Sequence, residues 1–468
     1  MAEHKVAAVL LAAGGSTRFG EPKQLLPWEG RPLIVHTADI AWAAGLNPVV
    51  AVIGAEAECV APLLAQRPVD VLRNYRWREG MSTSLHVGLA ALPQDVEAAI
   101  FLPIDQPCLT PRFLQALVER WRTSDADIVV PTAEGRRGGP VLFSRALFAE
   151  LTQLEGDVGG RALFDAHRER LVTLPVDDPR MLIDVDTPEA YARLQSEVER
   201  QDPAELLRAI RALIVDMDGV LWRGDTPLPG LHRFFELVQA RDLTYTLITN
   251  NSSRTPEDYV AKLARFGEQT TPKHVLNSAL AAADYLAVQA EPDATVFPVG
   301  GQGVRQALRS RRFRLVEDGS DVDYVVVGWD TEMNWETMAQ AALLIRGGAR
   351  FIGTNPDRSY PSERGLVPGA GAQLALLETA TDVTPTIAGK PEPVLYQQAL
   401  ERMGADPAET LVIGDRLDTD ILGGVRQGMI TALLLSGVQR RDDLTHSPVH
   451  PDLVFENLAA LLDAWPDH

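Results

Sequence analysis

Cysteine is scarce in this sequence, which has only Cys59 and Cys108 among its 468 residues. Both have apolar neighbours in the sequence, so we expect them in the core and expect no disulfide framework, as in a reducing compartment. Long apolar runs are also missing, and the apolar stretch at the N-terminus is too short for a membrane span and does not resemble a cleaved leader. We therefore predict a cytoplasmic protein without a membrane segment.

Basic residues are the other shortage. The chain has 44 Lys and Arg against 64 Asp and Glu, a formal net charge of −20. Such a charge repels a phosphate backbone, and no basic stripe interleaved with aromatic residues offsets it, so we predict no nucleic-acid partner. Hydrophobic residues at 46% and charged residues at 23% are globular proportions. A chain of this length is expected to form two or three domains.

Short runs rich in Val and Ile alternate with stretches of helical periodicity, which predicts an α/β fold with parallel sheets and crossover helices. Two series of such strands occur, at 6–14, 47–54, 98–105 and 181–188, and at 212–219, 243–251 and 410–420. Between them, Asp202 and Pro203 have the pattern of an N-cap followed by proline at the first helical position, so a new helix should begin at 203. We predict a first domain over 1–198 and a second region over 199–468.

The first strand leads into the glycine-rich segment LLAAGGSTRFGEPK at 10–23. A turn of this kind exposes backbone N–H groups that form an anion-binding concavity, and two cations nearby would neutralise phosphate charge. An ordinary strand-to-helix connection is the alternative. The predicted nucleotide-binding residues are Leu11, Ala12, Ala13, Gly14, Gly15, Arg18 and Lys23.

The complete pattern Leu-Ala-Ala-Gly-x-Ser-x-Arg-x-Gly-x-x-Lys resembles the start of nucleotidyltransferases of the molybdenum-cofactor type. The resemblance covers roughly 4–195 and includes LPIDQP at 102–107 and DVDTPEAY at 184–191. It implies a Rossmann-like domain that transfers a nucleoside monophosphate from CTP or GTP to a phosphorylated acceptor such as molybdopterin. It also implies a Mg²⁺ site at Asp105 and Asp186, with Asp184 as the rival of Asp186. The chain departs from the family at Gly139, where many relatives carry histidine.

The second series opens with RALIVDMDGVLW at 211–222, in which Asp216 and Asp218 follow a buried strand. Two carboxylates this close repel each other unless a metal or a proton lies between them, and Mg²⁺ prefers such oxygen ligands. One carboxylate can attack phosphorus while its neighbour protonates the leaving oxygen. Taken alone, the pair also fits a helix cap or two surface carboxylates.

Three further strand ends carry polar residues suited to phosphate chemistry. Thr249 precedes Asn250 and Asn251, which could grip phosphate oxygens, and Lys390 supplies a point charge. Downstream, VIGDRLDTD at 412–420 adds Asp415 and Asp420. In this order the four motifs resemble the haloacid dehalogenase superfamily over about 209–440. The similarity is greatest to its branch of small-metabolite phosphatases that includes nucleotide and p-nitrophenyl phosphatases.

This second resemblance implies a role for each motif residue. Asp216 would form an aspartyl-phosphate, and Asp218 would act as general acid and base. Thr249 and Lys390 would stabilise the transferring phosphoryl group. Mg²⁺ would be bound by Asp216, the backbone carbonyl of Asp218 and Asp415. Asp420 would support these ligands without binding the ion directly.

More than a hundred residues separate Asn251 from Lys390, which is far more than one crossover needs. We predict an inserted α/β cap over 279–378, with strands near 294–300, 323–329 and 350–355. The Rossmannoid phosphatase core is then 199–278 plus 379–468. Caps of this superfamily cover the phosphate site and select the substrate, and Asp330 and Asp357 are our candidates for that role, with a purely structural role as the alternative.

The sequence thus predicts a bifunctional enzyme, a Mg²⁺-dependent nucleotidyltransferase fused to a Mg²⁺-dependent phosphatase of a small phosphorylated metabolite. One alternative is an active phosphatase whose first domain binds nucleotide for regulation only. Another is a first domain that serves as an interaction surface for a partner protein. The phosphatase substrate, the choice between CTP and GTP and the oligomeric state stay open, with a homodimer as one option.

Overall fold

The structure, a computed structural model, describes residues 5–16, 19–176, 178–199, 203–291, 293–318, 321–362 and 365–466. Contacts group the chain into two compact units, Met1–Asp202 with Asp442–Val449, and Pro203–Arg441 with His450–His468. The predicted limits of 1–198 and 199–468 differ from this division at 199–202 and 442–449, and they remain a proposal. Among the described residues, no helix is long and apolar enough to cross a membrane.

The first unit is built on one sheet whose strand Lys5–Ala12 lies in the interior. The strands pair in parallel, except that Val141–Ser144 runs antiparallel to both its neighbours and Arg136–Arg137 pairs antiparallel at one side. In spatial order the main strands are Leu171–Pro175, Ile128–Ala133, Val141–Ser144, Val96–Pro103, Lys5–Ala12, Val49–Ile53 and Asp70–Arg73. The α-helices are Leu33–Ala43, Ala57–Leu64, Met81–Ala90, Pro111–Arg122, Phe148–Leu151 and Pro188–Glu199.

The strand expected at 181–188 is absent, and that prediction was wrong. The chain forms a 3₁₀ turn at Pro179–Leu182 and reaches the helix Pro188–Glu199 without joining the sheet. Proline at the start of each element favours this path. The apolar Val185 that suggested a strand is instead buried, and its N–H donates to the carbonyl of Asp105 at 2.8 Å. The segment therefore lies against the end of the strand Val96–Pro103, where Val185 binds Asp105.

The two cysteines differ in their surroundings. Cys59 is exposed, so its predicted core position was wrong, whereas Cys108 is half-buried; both are free thiols. On the helix Ala57–Leu64, Val60 and Leu64 form the inward face at i, i+4 spacing, which leaves Cys59 on the outward face.

The second unit has a parallel six-stranded core sheet. Its strands, in spatial order, are Val275–Asn277, Thr244–Thr249, Ala212–Asp216, Thr410–Gly414, Ile430–Leu434 and Leu453–Phe455. The accompanying α-helices are Pro203–Arg208, Leu231–Ala240, Pro256–Arg265, Ser278–Gln289, Pro393–Met403, Leu422–Arg426 and Leu458–Asp463, and the short helix Asp443–His446 falls in the segment grouped with the first unit. A helix does begin at Pro203 as predicted, while its expected cap, Asp202, lies outside the described residues.

A second parallel sheet is inserted between the strands of this core. In spatial order its strands are Arg314–Leu315, Thr295–Val299, Tyr324–Val327, Arg350–Gly353 and Thr386–Ile387, and its helices are Gln302–Ser310, Trp335–Arg346 and Ala370–Thr381. The hairpin Ser359–Ser362 with Gly365–Pro368 belongs to the same insertion. The predicted limit at 378 falls inside the last helix. A parallel strand can be added only after its crossover is complete, so the insertion continues to Ile387.

Candidate active sites

Neighbouring strands of the core sheet bring the predicted phosphatase residues to one edge. Asp216 ends the central strand, Thr249 ends the strand on one side, and Asp415 follows the strand on the other. Because the pairing is parallel, the carboxyl ends of these strands meet, which is where ligands bind in open α/β sheets. All three side chains are buried.

Three carboxylates form the centre of this site. Asp216, Asp415 and Asp420 each offer one oxygen, and these oxygens all lie within 4.8 Å of one another. Two glycines give Asp415 its room, since a Cβ on Gly437 would lie 1.8 Å from Asp415 Oδ2 and one on Gly219 would lie 2.4 Å from it. The N–H of the residue after Gly437 donates to the same oxygen at 2.7 Å.

Burial and mutual repulsion destabilise the charged forms of this carboxylate cluster. Burial raises the pKa of Asp415 to about 7, and the charge of Asp420 adds to the shift. Burial also raises the pKa of Asp216 above its ordinary value; Lys390 opposes this, and Asp420 and Asp415 reinforce it. A buried cluster of hard oxygen donors fits a divalent cation such as Mg²⁺.

Lys390 is the buried cation of the site. Its Nζ lies 2.5 Å from Asp216 Oδ1 and 2.6 Å from Asp420 Oδ1. Burial by itself would lower the pKa of Lys390, but the two carboxylates outweigh it and raise the pKa well above its usual value. The ammonium therefore stays charged where a phosphoryl group would meet Asp216.

The two asparagines predicted to bind phosphate form hydrogen bonds with other residues of the protein. Asn250 accepts from the backbone N–H of Lys390 at 2.8 Å and donates to its carbonyl at 3.0 Å, and it also donates to Asp357 Oδ1 at 3.1 Å. Asn251 accepts from the N–H and hydroxyl of Ser253. The structure thus places Asn250 as the support of Lys390 and Asn251 as the anchor of a turn.

The two acids singled out in the cap have different surroundings. Asp357 contacts Asn250 and so reaches the catalytic edge of the core, and burial raises its pKa. Asp330 closes a local turn through the N–H of Glu332 at 2.8 Å, and its carbonyl accepts from Gln373 at 2.7 Å. Asp357 is thus linked through Asn250 to the carboxyl edge of the core sheet, whereas Asp330 is linked to its own turn and to Gln373.

Asp218 differs from the buried carboxylates because its side chain is exposed. Its Oδ1 accepts a 2.8 Å hydrogen bond from the indole Nε1 of Trp222, which is fully buried. Neither Trp222, which lies within the motif at 211–222, nor Gly437 was among the residues predicted to have a role. The spacing of four residues between Asp218 and Trp222 was the sequence signal for Trp222. The contact of Gly437 with Asp415 is visible only in the tertiary structure.

The first unit gathers its predicted residues at the end of the strand Val96–Pro103. Lys23 Nζ lies 2.9 Å from Asp105 Oδ2 and 2.6 Å from Asp186 Oδ1. Burial would lower the pKa of this lysine, but the hydrogen bonds to the two acids raise it overall. Asp184, the rival of Asp186, instead accepts from Gln106 at 2.9 Å.

The glycine-rich turn borders a cleft of about 310 Å³. Gln24 holds the turn by donating to the carbonyls of Ala12 and Gly14, both at 2.8 Å. The cleft is lined by Gly14, Gly15, Ser16, Gly20, Glu21, Pro22, Ala55 and Glu56. Leu11 is half-buried while Ala12 and Ala13 are buried, and Arg18 lies outside the described residues.

Comparison with known proteins finds a family match in each unit. Residues 8–171 match the family of MobA-like NTP transferase domains. Residues 213–314 match the haloacid dehalogenase-like hydrolases, and 387–461 match the HAD-hydrolase-like family. An acid sugar phosphatase of Staphylococcus aureus (strain USA300) is 38% identical over 252 residues, which are 54% of this chain and 96% of that protein. The chain belongs to the haloacid dehalogenase-like hydrolases.

Solved structures support the same conclusion for the second unit of this hydrolase. A p-nitrophenyl phosphatase from Archaeoglobus fulgidus is 31% identical with a TM-score of 0.52, over 55% of this chain and 99% of that one. A glycerol phosphate phosphatase from Mycobacterium tuberculosis, solved in complex with magnesium, is 34% identical with a TM-score of 0.51, over 56% and 78%. The protein is thus a phosphomonoester hydrolase of the haloacid dehalogenase type fused to an NTP transferase domain.

Proposed function

We propose that the second unit hydrolyses a small phosphate monoester through an aspartyl-phosphate on Asp216. The observation that carries this proposal is the buried contact of Asp216 with Lys390, whose ammonium also binds Asp420. Lys390 fixes Oδ1 of Asp216, and the other carboxylate oxygen would form the bond to phosphorus. Positioning and charge neutralisation are what phosphoryl transfer requires most.

The reaction would proceed in two displacements. In the first, the bond from Asp216 to phosphorus forms, the ester P–O bond breaks, and Asp218 gives its proton to the leaving oxygen. In the second, Asp218 takes a proton from the attacking water, and the bond from Asp216 to phosphorus breaks to release phosphate. Asp218 is exposed, so it can face substrate and water, whereas Asp216 and Lys390 are buried.

We assign a Mg²⁺ ion to Asp216, Asp415 and the carbonyl of Asp218, with Asp420 supporting. The fit rests on three buried carboxylate oxygens within 4.8 Å of one another and on the excess of three carboxylates over the single ammonium of Lys390 that contacts two of them. A bound Mg²⁺ would supply charge neutralisation for the incoming phosphate. The magnesium complex of the glycerol phosphate phosphatase supports this assignment.

For the first unit we propose transfer of a nucleoside monophosphate from CTP or GTP to a phosphorylated acceptor such as molybdopterin, with release of pyrophosphate. The cleft at the glycine-rich turn would take the nucleotide, and Asp105 and Asp186 would hold Mg²⁺. The supporting observation is that Lys23 lies between these two carboxylates. When the Mg²⁺-bound nucleotide enters, Lys23 would pair with its phosphates.

A panel of phosphorylated metabolites tests the phosphatase, using the wild type and Asp216→Asn with and without each NTP. We expect turnover of small phosphate monoesters by the wild type and none by the variant. A coupled pyrophosphate assay tests the transferase, with Asp105→Ala as the inactive variant. If either single variant stays folded yet loses both activities, the two-site proposal is wrong.

The alternative of a regulatory first domain makes a different prediction. In that case CTP or GTP binds and changes the phosphatase rate, but no pyrophosphate is released from any acceptor. The two carboxylates that contact Lys23 favour a catalytic first domain over a regulatory one. Binding a nucleotide does not by itself require two carboxylate ligands for a metal.

A further inference from the structure

The buried Trp222 donates a hydrogen bond to the exposed Asp218. The turn after the strand Ala212–Asp216 returns on itself, since the N–H groups of Leu221 and Trp222 both donate to the carbonyl of Met217, at 2.9 and 3.3 Å. Gly219, with φ +90°, permits this path, and its own N–H donates to the carbonyl of Trp222. The indole Nε1 thereby lies 2.8 Å from Asp218 Oδ1.

The indole ring has little freedom to move. It is completely buried, and the helix Pro256–Arg265 places Lys262 Nζ 4.4 Å from its centroid and stacks Tyr259 at 6.4 Å with planes 18° apart. Phe266 packs at 6.0 Å. Lys262 is itself buried, so its attraction to the ring is stronger than at an exposed site. A fixed ring gives a fixed N–H direction, although the carboxylate it binds is open to solvent.

The chemistry of the indole then distinguishes the two oxygens of Asp218. An indole N–H donates and never accepts, so the oxygen that it binds must be an acceptor whether the carboxyl group is charged or neutral. A carbonyl oxygen is a better acceptor than a protonated carboxyl oxygen, so the bond to Trp222 favours the proton on Oδ2 over Oδ1. We propose that Trp222 is a positioning residue that biases the transferable proton of Asp218 to Oδ2 and orients it toward the leaving oxygen.

This inference rests on the proposed role of Asp218 as general acid, and it concerns the range of esters that the enzyme can cleave. An alkyl phosphate releases an alkoxide, a poor leaving group that needs the proton in the transition state. A p-nitrophenyl phosphate releases the stabilised p-nitrophenolate, which needs the proton much less. A well-held acid thus allows the enzyme to act on alkyl esters, and a loosely held one restricts it to activated aryl esters.

The test compares kcat/KM for glycerol phosphate and for p-nitrophenyl phosphate in the wild type and Trp222→Phe. Because kcat/KM reports the steps up to the first P–O cleavage, it isolates the general-acid step from dephosphorylation. We expect a loss of about tenfold or more on the alkyl ester, within the range that general acids contribute, and less than about threefold on the aryl ester. Trp465→Phe, at another buried tryptophan of the same core, is the control for lost ring volume.

A double-mutant cycle with Asp218→Ala separates positioning from packing. We expect Trp222→Phe to have no further effect on either ester once Asp218 is absent, because the two side chains act as one unit. Equal losses on both esters, no loss, or full additivity with Asp218→Ala would each overturn the inference. Should Trp222→Phe fail to fold, β-(3-benzothienyl)alanine at position 222 keeps the ring shape and removes only the N–H.

Asp216→Asn keeps this result separate from the proposed function. If Asp216→Asn still hydrolyses the esters, the aspartyl-phosphate mechanism itself fails. If Asp216→Asn is inactive and the ester selectivity of Trp222→Phe equals that of the wild type, only the role of Trp222 is rejected.

Discussion

The ammonium of Lys390 lies 2.5 Å from Oδ1 of Asp216, although 174 residues separate the two in the chain. Both side chains are buried, and the same ammonium binds Asp420 at 2.6 Å. Removing one member of such a pair leaves an uncompensated buried charge, which costs a few kcal/mol. The contact therefore links the stability of the second unit to the proposed phosphate chemistry.

Substitution of Lys390 by methionine should reduce phosphatase kcat/KM on the order of a hundredfold or more, because the phosphoryl group loses its fixed cation. It should also lower the melting temperature, since Asp216 and Asp420 would remain buried without their partner. Steady-state kinetics and thermal unfolding check the two effects. Arg265→Met is the matched control, as Arg265 is exposed and pairs with the exposed Asp225 at 3.8 Å. A Lys390→Met variant with normal kcat/KM would contradict the assignment.

Magnesium should stabilise the second unit through Asp216, Asp415 and the carbonyl of Asp218. At a hundredfold excess over Kd, a ligand of the folded state adds about 2.7 kcal/mol to the free energy of unfolding. We expect EDTA to abolish phosphatase turnover, and Mg²⁺ to restore it and to raise the melting temperature of the wild type. In Asp415→Asn the rise should shrink, because one ligand and its charge are lost. An undiminished rise in Asp415→Asn would place the ion elsewhere.

Gly437→Ala should disturb the same centre by a steric route. A Cβ at this position would lie 1.8 Å from Asp415 Oδ2, so the carboxylate must move. We expect phosphatase kcat/KM to fall about tenfold or more, in line with the sensitivity of catalysis to small displacements. Gly301→Ala is the control, because its Cβ would lie 3.8 Å from the nearest atom, the carbonyl oxygen of Trp329. Equal activity of the two alanine variants would contradict the expectation.

Asp357→Ala tests whether the cap supports Lys390. Asp357 accepts from Asn250, which in turn binds both backbone polar groups of Lys390. We expect kcat to fall by about tenfold with a smaller change in KM, because the loss would act through the placement of Lys390 rather than through substrate contact. Asp330→Ala, at the local turn, should leave kcat unchanged if the effect belongs to this hydrogen-bond chain. A change in KM alone for Asp357→Ala would instead indicate substrate binding.

Lys23→Met should abolish pyrophosphate release and leave phosphatase kcat/KM unchanged. The reason is that the Lys23 ammonium binds Asp105 at 2.9 Å and Asp186 at 2.6 Å, and these belong to the first unit alone. Parallel assays of the two activities on one preparation check this. Lys5→Met, at an exposed pair with Asp95, is the control for the loss of one positive charge. Loss of phosphatase turnover in a folded Lys23→Met protein would contradict independent sites.

Local sequence was sufficient to predict the strands that end in Asp216 and Thr249 and the strand that precedes Asp415, because apolar runs and polar strand ends depend on neighbours in the chain. The same reasoning was wrong at 181–188, where apolar residues lie against a strand end without joining the sheet. It also placed the end of the cap at 378, because a short final strand such as Thr386–Ile387 carries too little pattern to be recognised.

Motifs and hydrophobic patterning were enough to predict the family and the α/β class, and they supplied the acidic and basic candidates for phosphate chemistry. Only the tertiary structure decided their partners: Asn250 binds the backbone of Lys390, Gly437 makes room for Asp415, and Trp222 donates to Asp218. The physical reason is that hydrogen bonds and steric contacts depend on distances of a few ångströms between distant segments. Sequence motifs specify which groups are present, and packing specifies which atoms of those groups are left for substrate.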